Sequence, residues 1–445
     1  MVIKGENNMD VIVAKFGGTS LADAVQFQKV YNIILSDNKR KYVIPSAPGK
    51  RHKDDTKITD LLYLCHKQIK HRVKFDDTFN IISERYEQIR KELELEVDLS
   101  YHINMIREEM KKSPSLDYIV SRGEYLNGIL LAALLEYDFI DAKDVISFNE
   151  DGLLDLALTD EKMKKCLSKN SKGVIPGFYG SLPNGEIKVF SRGGSDITGA
   201  LVARAINATI YENWTDVSGL LITDPSIVKN PKPIETITYR ELRELSYAGA
   251  TVLHEETIFP VLDAGIPINI KNTNEPNSPG TMIVSYGDPV SPAGGITGIA
   301  GRKDFTVISI EKNRMKSEIG FLRKLLTVLE DNNIYTEHMP SGIDTISLVV
   351  MDCQLENKLD KLLKDIQQQC DPDLIEVFPN MAIIATVGHG MAYTPGISAK
   401  LFTALAEKEI NVRMIDQGSS EINIIVGVET DDFEKAVKAI YDAFV

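Results

Sequence analysis

Apolar positions along about the first 300 residues alternate between a period of two and a period of 3.6. Strand-like runs are predicted at Val11–Lys15, Tyr42–Pro45, Val174–Phe178, Ile187–Phe190, Ala208–Trp214 and Pro267–Ile270. Helix-like stretches lie between them, among them Ala22–Leu35, Ile58–Ile69, Leu126–Leu135 and Asp196–Ile206. Such alternation predicts an α/β fold with a mainly parallel sheet covered by helices on both faces. Residues 74–112 are longer, helical and mixed in charge, and read as a solvated helical pair.

The segment S291-P-A-G-G-I-T-G-I-A-G-R is rich in glycine and reads as a boundary. Past it the chain repeats itself. G320-F-L-R-K-L-L-T-V-L-E-D-N-N-I returns without a gap as G396-I-S-A-K-L-F-T-A-L-A-E-K-E-I. Each copy reads strand, glycine-led helix, strand, strand, helix. In the first these are V307-I-S-I, the helix, I334-Y-T-E-H, T345-I-S-L-V-V and Leu355–Gln368. In the second they are I383-I-A-T, the helix, V412-R-M-I, I422-N-I-I-V and Asp431–Phe444. Two α+β modules of about 70 residues each are expected, behind a larger domain. That arrangement suggests a sensor attached to an engine.

The totals narrow the function class. The chain has 445 residues, 43% hydrophobic and 26% charged, so it can bury a core. A net charge of -14 disfavours nucleic acid and anionic membranes, which need lysine and arginine clusters. No apolar run reaches the length of a membrane helix, and the first residues have no signal core, so a cytoplasmic location is expected. Met9 sits just before the first strand, so the residues before it read as a tail or an upstream start. Cys65, Cys166, Cys353 and Cys370 show no close or metal-like spacing and are read as reduced structural thiols. The histidines form no ligand or triad pattern, and no protein-held metal is expected.

Chemistry is concentrated where strands meet helices. V11-I-V-A-K-F-G-G-T-S ends a strand in a lysine, two glycines and two hydroxyls. Bare backbone there can approach an anion, and Lys15 adds a full positive charge. The lysine precedes the glycines, so this is not a Walker loop. F190-S-R-G-G-S-D is a second such turn, with Arg192 offering a fork that matches a carboxylate or phosphate. Taken singly, each turn also fits a plain tight turn with a helix cap at Thr19, Ser195 or Asp196. W214-T-D-V suits the edge of a ring or ribose, and T-D-P also suits a turn. S121-R-G-E places Glu124 at the expected start of an apolar helix, where the helix dipole favours a carboxylate whatever its role.

In this order, K15-F-G-G-T-S, S121-R-G-E, S191-R-G-G-S-D, W214-T-D-V, T223-D-P and A250-T-V-L-H resemble aspartokinase, of the amino-acid kinase family. The resemblance runs from Val11 to Val445, and the paired modules resemble ACT domains. It implies a three-layer αβα kinase domain at 9–298, then two ferredoxin-like ACT domains at 299–375 and 376–445. C-terminal residues could complete the first ACT domain, and the second could be inserted in it. The implied reaction moves the γ-phosphoryl of ATP, with Mg²⁺, onto the side-chain carboxylate of L-aspartate, opening the route to lysine, threonine and methionine. The resemblance implies phosphate contacts at Lys15, Gly17, Gly18 and Thr19, with Asp196 orienting Lys15. It implies substrate contacts at Thr59, Glu124, Arg192 and Ser195, and nucleotide contacts at Thr215 and Asp216. An aspartate side chain is ionised at neutral pH, so no general base is needed, and fixed positive charge is what the transfer requires.

Some residues depart from the family pattern. K50-R-H-K-D-D-T-K is longer and more charged than the usual turn, and Pro45 stands where serine is common. Leu221, Ser226 and Thr251 replace a tyrosine, an arginine and a lysine at nucleotide positions. Lys271, Arg51 or Lys53 is the expected replacement charge. In the regulatory half, Gly320, Phe321 and Leu322 form a helix start suited to an effector carboxylate, with Glu337 or Asp344 for its ammonium. Met315, Phe321 and Ser341 match effector-pocket positions in lysine-sensitive relatives. Feedback by lysine is expected ahead of threonine, and self-association through the modules as a homodimer or a tetramer. Two other readings stand: another carboxylate kinase of the family, and a catalytically silent amino-acid sensor on the same scaffold.

Overall fold

The computed structural model describes residues 10–112, 115–250, 255–285 and 295–445. Thr251, His254 and much of the glycine-rich boundary fall outside them. The chain forms two compact units. The first comprises the described parts of 1–220, 235–239 and 253–288, and the second those of 221–234, 240–252 and 289–445. Among the described residues no helix is long and apolar enough to cross a membrane.

The first unit is built on an eight-stranded sheet. Its order is Thr236–Thr238, Thr281–Val284, Ile268–Asn272, Ile210–Thr215, Ile12–Phe16, Arg40–Pro45, Gly173–Val174 and Asp138–Phe139. Among the described residues its pairings are parallel except that of Ile268–Asn272 with Thr281–Val284. The central strand, IVAKF, is buried along its whole length, as a strand covered on both faces must be. Pleating sends Glu212 and Asn213 to opposite faces. Glu212 takes a bidentate pair from Arg40 at 2.7 and 3.1 Å and a bond from Trp214 Nε1 at 2.8 Å, which satisfies a buried carboxylate.

Several expectations change in detail. The run from Val174 yields only Gly173–Val174 as strand, because Pro176 lacks an N–H and Phe178 turns at φ 81°. The run from Ile187 becomes Ile187–Val189, paired with Tyr179–Ser181 in a separate hairpin. The helix expected from Leu126 begins at Leu116 and ends at Leu135. Glu124 therefore sits in the helix interior, and the dipole argument for it fails. The charged 74–112 region forms the expected helical pair, Asp76–Glu92 and Leu99–Lys112. Each helix buries one face, with Phe79, Arg85 and Tyr86 in the first and Ile103 and Ile106 in the second, so the region is not simply solvated.

The second unit carries a five-stranded antiparallel sheet in the order Thr345–Met351, Gly298–Glu311, Leu374–Val387, Asn423–Glu429 and Met414–Asp416. The two 14-residue strands, Gly298–Glu311 and Leu374–Val387, serve both sequence repeats in turn. Each repeat has its own apolar core, one around Leu325 and Ile346, the other around Leu401 and Ile424. The repeated glycines head equivalent helices at φ 90° for Gly320 and 93° for Gly396, a backbone region that favours glycine. The strand expected at I334-Y-T-E-H is reduced to isolated bridges, His338 to Val349 and Ser341 to Ile346. Pro340 between them has no N–H to give the ladder.

Candidate active site

Lys15 and Asn213 stand directly opposite each other in the parallel pairing of the central strands, so their side chains share a face. Lys15 Nζ lies 2.6 Å from Asp196 Oδ1 and donates to Asn213 Oδ1 at 3.3 Å. Asn213 Nδ2 donates to the same aspartate oxygen at 2.8 Å. Asp196 comes from the first turn of the helix Gly194–Ala205, so the two glycine turns meet through this ion pair. Lys15 is 8% exposed, which leaves its ammonium a fixed charge with little water around it.

Beside it the chain turns. The Gly17 N–H donates to the Trp214 carbonyl at 2.9 Å and is spent on the sheet. The N–H groups of Gly18 and Thr19 have no partner among the described residues. Gly18 is held by close approach: a Cβ on it would lie 2.7 Å from the Ala47 carbonyl oxygen. The Gly49 N–H donates to the Gly18 carbonyl at 2.7 Å, and a Cβ on Gly49 would meet Gly18 C at 2.6 Å. Two turns therefore pack backbone against backbone.

Glu124 faces the same loop from the helix Leu116–Leu135. Its Oε1 accepts from the Ala47 N–H at 3.2 Å, while Oε2 is buried with no partner. Burial pushes its carboxyl up to about 8. One turn on, Asn127 Nδ2 donates to the Ser46 carbonyl at 2.6 Å and its Oδ1 is likewise unpartnered. Thr59 lies in the first turn of the helix Ile58–Lys70. Ser195 is buried, with Gly177 packed so close that a Cβ there would strike its Oγ at 2.5 Å. Arg192 is exposed and has no polar partner among the described residues. Thr215 ends its strand, and its hydroxyl donates to Asp216 Oδ1 at 3.2 Å.

Leu221 and Ser226 belong to the second unit, where Leu221 is exposed and the Ser226 N–H donates to Asp224 Oδ1 at 2.8 Å. Two of the three expected replacement charges are already committed. Lys271 donates to the Ser278 carbonyl at 3.0 Å and sits 5.3 Å from the Trp214 ring centre, on the sheet face opposite Lys15. Arg51 forks onto Asp55 at 2.9 and 3.1 Å. Lys53 is exposed.

Of the regulatory residues, Met315 and Phe321 are buried in the first repeat's core. Leu322 and Ser341 are exposed, and Asp344 accepts the Lys312 N–H through its main-chain carbonyl at 2.8 Å. Glu337 lines a cavity of about 320 Å³ with Arg302, His338, Asp416 and Glu244. Each of these charged groups has a partner: Glu337 with Tyr247, His338 with Asp416 at 3.0 Å, Glu244 with Asn423 at 2.6 Å and Arg302 with the Ser246 carbonyl at 3.3 Å.

Asn213 and Asn127 were not singled out by the sequence reading. A polar residue inside an apolar strand or helix was the available signal for both.

Comparison with known proteins agrees over the whole length. A family model described as the amino acid kinase family matches residues 10–272, and an ACT domain model matches residues 384–444. Aspartokinase 3 of Bacillus subtilis is 38% identical, over 97% of this chain and 98% of its own. The crystal structure of Clostridium acetobutylicum aspartate kinase, described as an allosteric enzyme, superposes with a TM-score of 0.91 at 57% identity, over 98% of this chain and 100% of that one. E. coli aspartokinase III in complex with aspartate and ADP superposes at 0.73 and 26% identity, over 98% and 99%. The same enzyme with lysine and aspartate, a T-state, superposes at 0.71 and 26% identity over the same shares.

Proposed function

The chain belongs to the amino acid kinase family and is an aspartate kinase, and we propose that the strand-end network around Lys15 is its transfer site. In this reading the side-chain carboxylate of L-aspartate attacks the γ-phosphorus of ATP and ADP leaves. Both reactants are anionic, so the barrier is mainly one of positioning and charge. Lys15 supplies the charge. Asp196 and Asn213 hold it in place, and the free N–H groups of Gly18 and Thr19 face the phosphates. Glu124 accepts the substrate ammonium through its unpartnered oxygen, and Arg192, exposed and without a polar partner among the described residues, takes the main-chain carboxylate. Thr59 and Ser195 border the substrate, and Thr215 and Asp216 the nucleotide. ADP and aspartate in the E. coli relative support this pair of ligands.

Mg²⁺ is assigned to the phosphates of ATP. A hard cation of this size takes one or two carboxylates together with phosphate oxygens. Asp196, in the first turn of its helix, and Asp216, just past the strand Ile210–Thr215, are the carboxylates that would hold it, and no group of three ligating side chains exists among the described residues. Bound there, the cation would add charge neutralisation to that of Lys15.

The regulatory reading is feedback by an end-product amino acid, lysine ahead of threonine, supported by the lysine-bound relative and the ACT match. The catalytic domain is taken as 9–298 and the regulatory modules as 299–375 and 376–445. A homodimer through these modules fits the apolar residues left open on the first. Leu322 and Leu326 lie one turn apart and are exposed, as are Ile319, Tyr335 and Ile343. The cytosol is the proposed compartment.

The observation that carries the transfer site is the Lys15–Asp196–Asn213 network, with Lys15 and Asn213 buried and Asp196 partly so, beside two unpartnered N–H groups. Its test is trapping of the acyl phosphate as a hydroxamate. Wild type should form it from Mg-ATP and L-aspartate, and Lys15→Ala should lose about 100-fold or more in kcat. Equal rates in the two proteins would remove Lys15 from the chemistry.

A further inference from the structure

We propose that Arg85 is a positioning residue for phosphoryl transfer, its guanidinium pinning the phosphate-facing turn to the loop that leads to Thr59. This rests on the roles given above to Gly18, Thr19 and Thr59. Arg85 lies on the helix Asp76–Glu92, in the region whose charge mixture reads as a solvated surface, yet its side chain is only 5% exposed. One terminal nitrogen, Nη2, donates to the carbonyls of Ala22, at 3.0 Å, and of Gly49. The other, Nη1, donates to the carbonyl of Thr56 at 3.2 Å and lies 3.4 Å from Asp55 Oδ2.

These partners surround the site from two sides. Ala22 closes the turn that begins at Gly18. Gly49 is the residue whose backbone rests on Gly18 and Thr19. Asp55 and Thr56 end the long charged loop just before the helix bearing Thr59. One planar fork thus fixes the distance between the phosphate side and the substrate side, something a point charge on a flexible stem cannot do. Arg51, and then Arg85, hold the Asp55 carboxyl well below the usual carboxylate range, so the counter-charge persists at working pH.

The Nε–H of Arg85 is buried without a partner. A buried cation with an unpaired donor is a costly scaffold. Its position is better explained by the three carbonyls it organises. Reacting groups displaced by about 1 Å can lose about 100-fold in rate, so slack in this clamp should reach the chemistry.

The test uses the full-length protein and three variants, with steady-state kinetics for both substrates and amide hydrogen exchange over residues 18–22 and 46–57. Arg85→Lys should lower kcat about 30-fold or more, with each KM within about threefold, and should speed exchange in both segments together. Arg85→Ala should behave likewise and recover part of its kcat with millimolar guanidinium but not with sodium. Should both fail to fold, Asp55→Asn decides, with an expected loss of about tenfold in kcat at little-changed KM. Wild-type kcat in Arg85→Lys, a rise in KM alone, or exchange unchanged in both segments would overturn the proposal. Should the wild type itself show no aspartate-dependent turnover, the site reading falls, and exchange alone then judges the clamp.

Discussion

A carboxyl group buried away from solvent is harder to ionise, and Glu124 is such a group. Its Oε2 has no partner, and burial raises it from 4.5 to about 8. Between those values the folded form holds a proton that the unfolded chain has lost, so stability falls as pH rises through the window. Glu124→Gln should flatten that part of the stability curve, measured by denaturant midpoints from pH 4.5 to 8. A bound ammonium reverses the preference and favours the carboxylate. Uptake of L-aspartate near pH 7 should therefore expel about one proton per site, falling toward none near pH 9. Calorimetry in buffers of different ionisation enthalpy measures this directly. Zero release by wild type at pH 7, or release kept in Glu124→Gln, would mean that the ammonium docks elsewhere.

At the scale of elements, the site is a contact between two turns, and glycine makes it possible. A Cβ at Gly49 would sit 2.6 Å from the Gly18 main chain, with no flexible side chain able to yield. Gly49→Ala should push the phosphate-facing turn outward, costing about 1–3 kcal/mol of stability and a larger share of kcat. Thermal melting followed beside turnover would check it, and unaltered kcat would refute the coupling. The Lys15 and Arg192 turns were legible in the sequence because a strand ending in a cation and glycines leaves a local pattern. Their meeting through Asp196 was legible only by resemblance. Glu124 was misplaced because the helix starts at Leu116, upstream of the apolar run that marks it. Arg85 was hidden because its carbonyl partners are main-chain atoms at Ala22, Gly49 and Thr56, which no side-chain pattern records. The second unit's long strands were missed in a similar way. A strand shared by two cores reads in sequence as the end of one module and the start of another.

At the scale of the molecule, regulation needs two global states with different affinities for both ligands. The E. coli relative at TM-scores of 0.73 and 0.71 comes as an R-state with aspartate and ADP and a T-state with lysine and aspartate. A fold that accommodates two such states is a precondition for feedback in this chain. The usual coupling of about 1–3 kcal/mol corresponds to a change of roughly 5- to 150-fold in apparent affinity. L-lysine should therefore raise the KM for aspartate within that range, and aspartate should weaken lysine binding by the same factor, because linkage between binding sites is reciprocal. Titration of activity with lysine, threonine and methionine, singly and combined, identifies the effector. Binding calorimetry with and without aspartate supplies the reverse coupling. Inhibition by threonine alone would keep the regulatory reading and change its ligand. A lysine effect on KM without the matching effect of aspartate on lysine binding would make the effect kinetic and not one on affinity, whereas mutual weakening that never saturates would point to competition at the active site. No response to any of the three would leave the paired modules without the sensing role assigned to them.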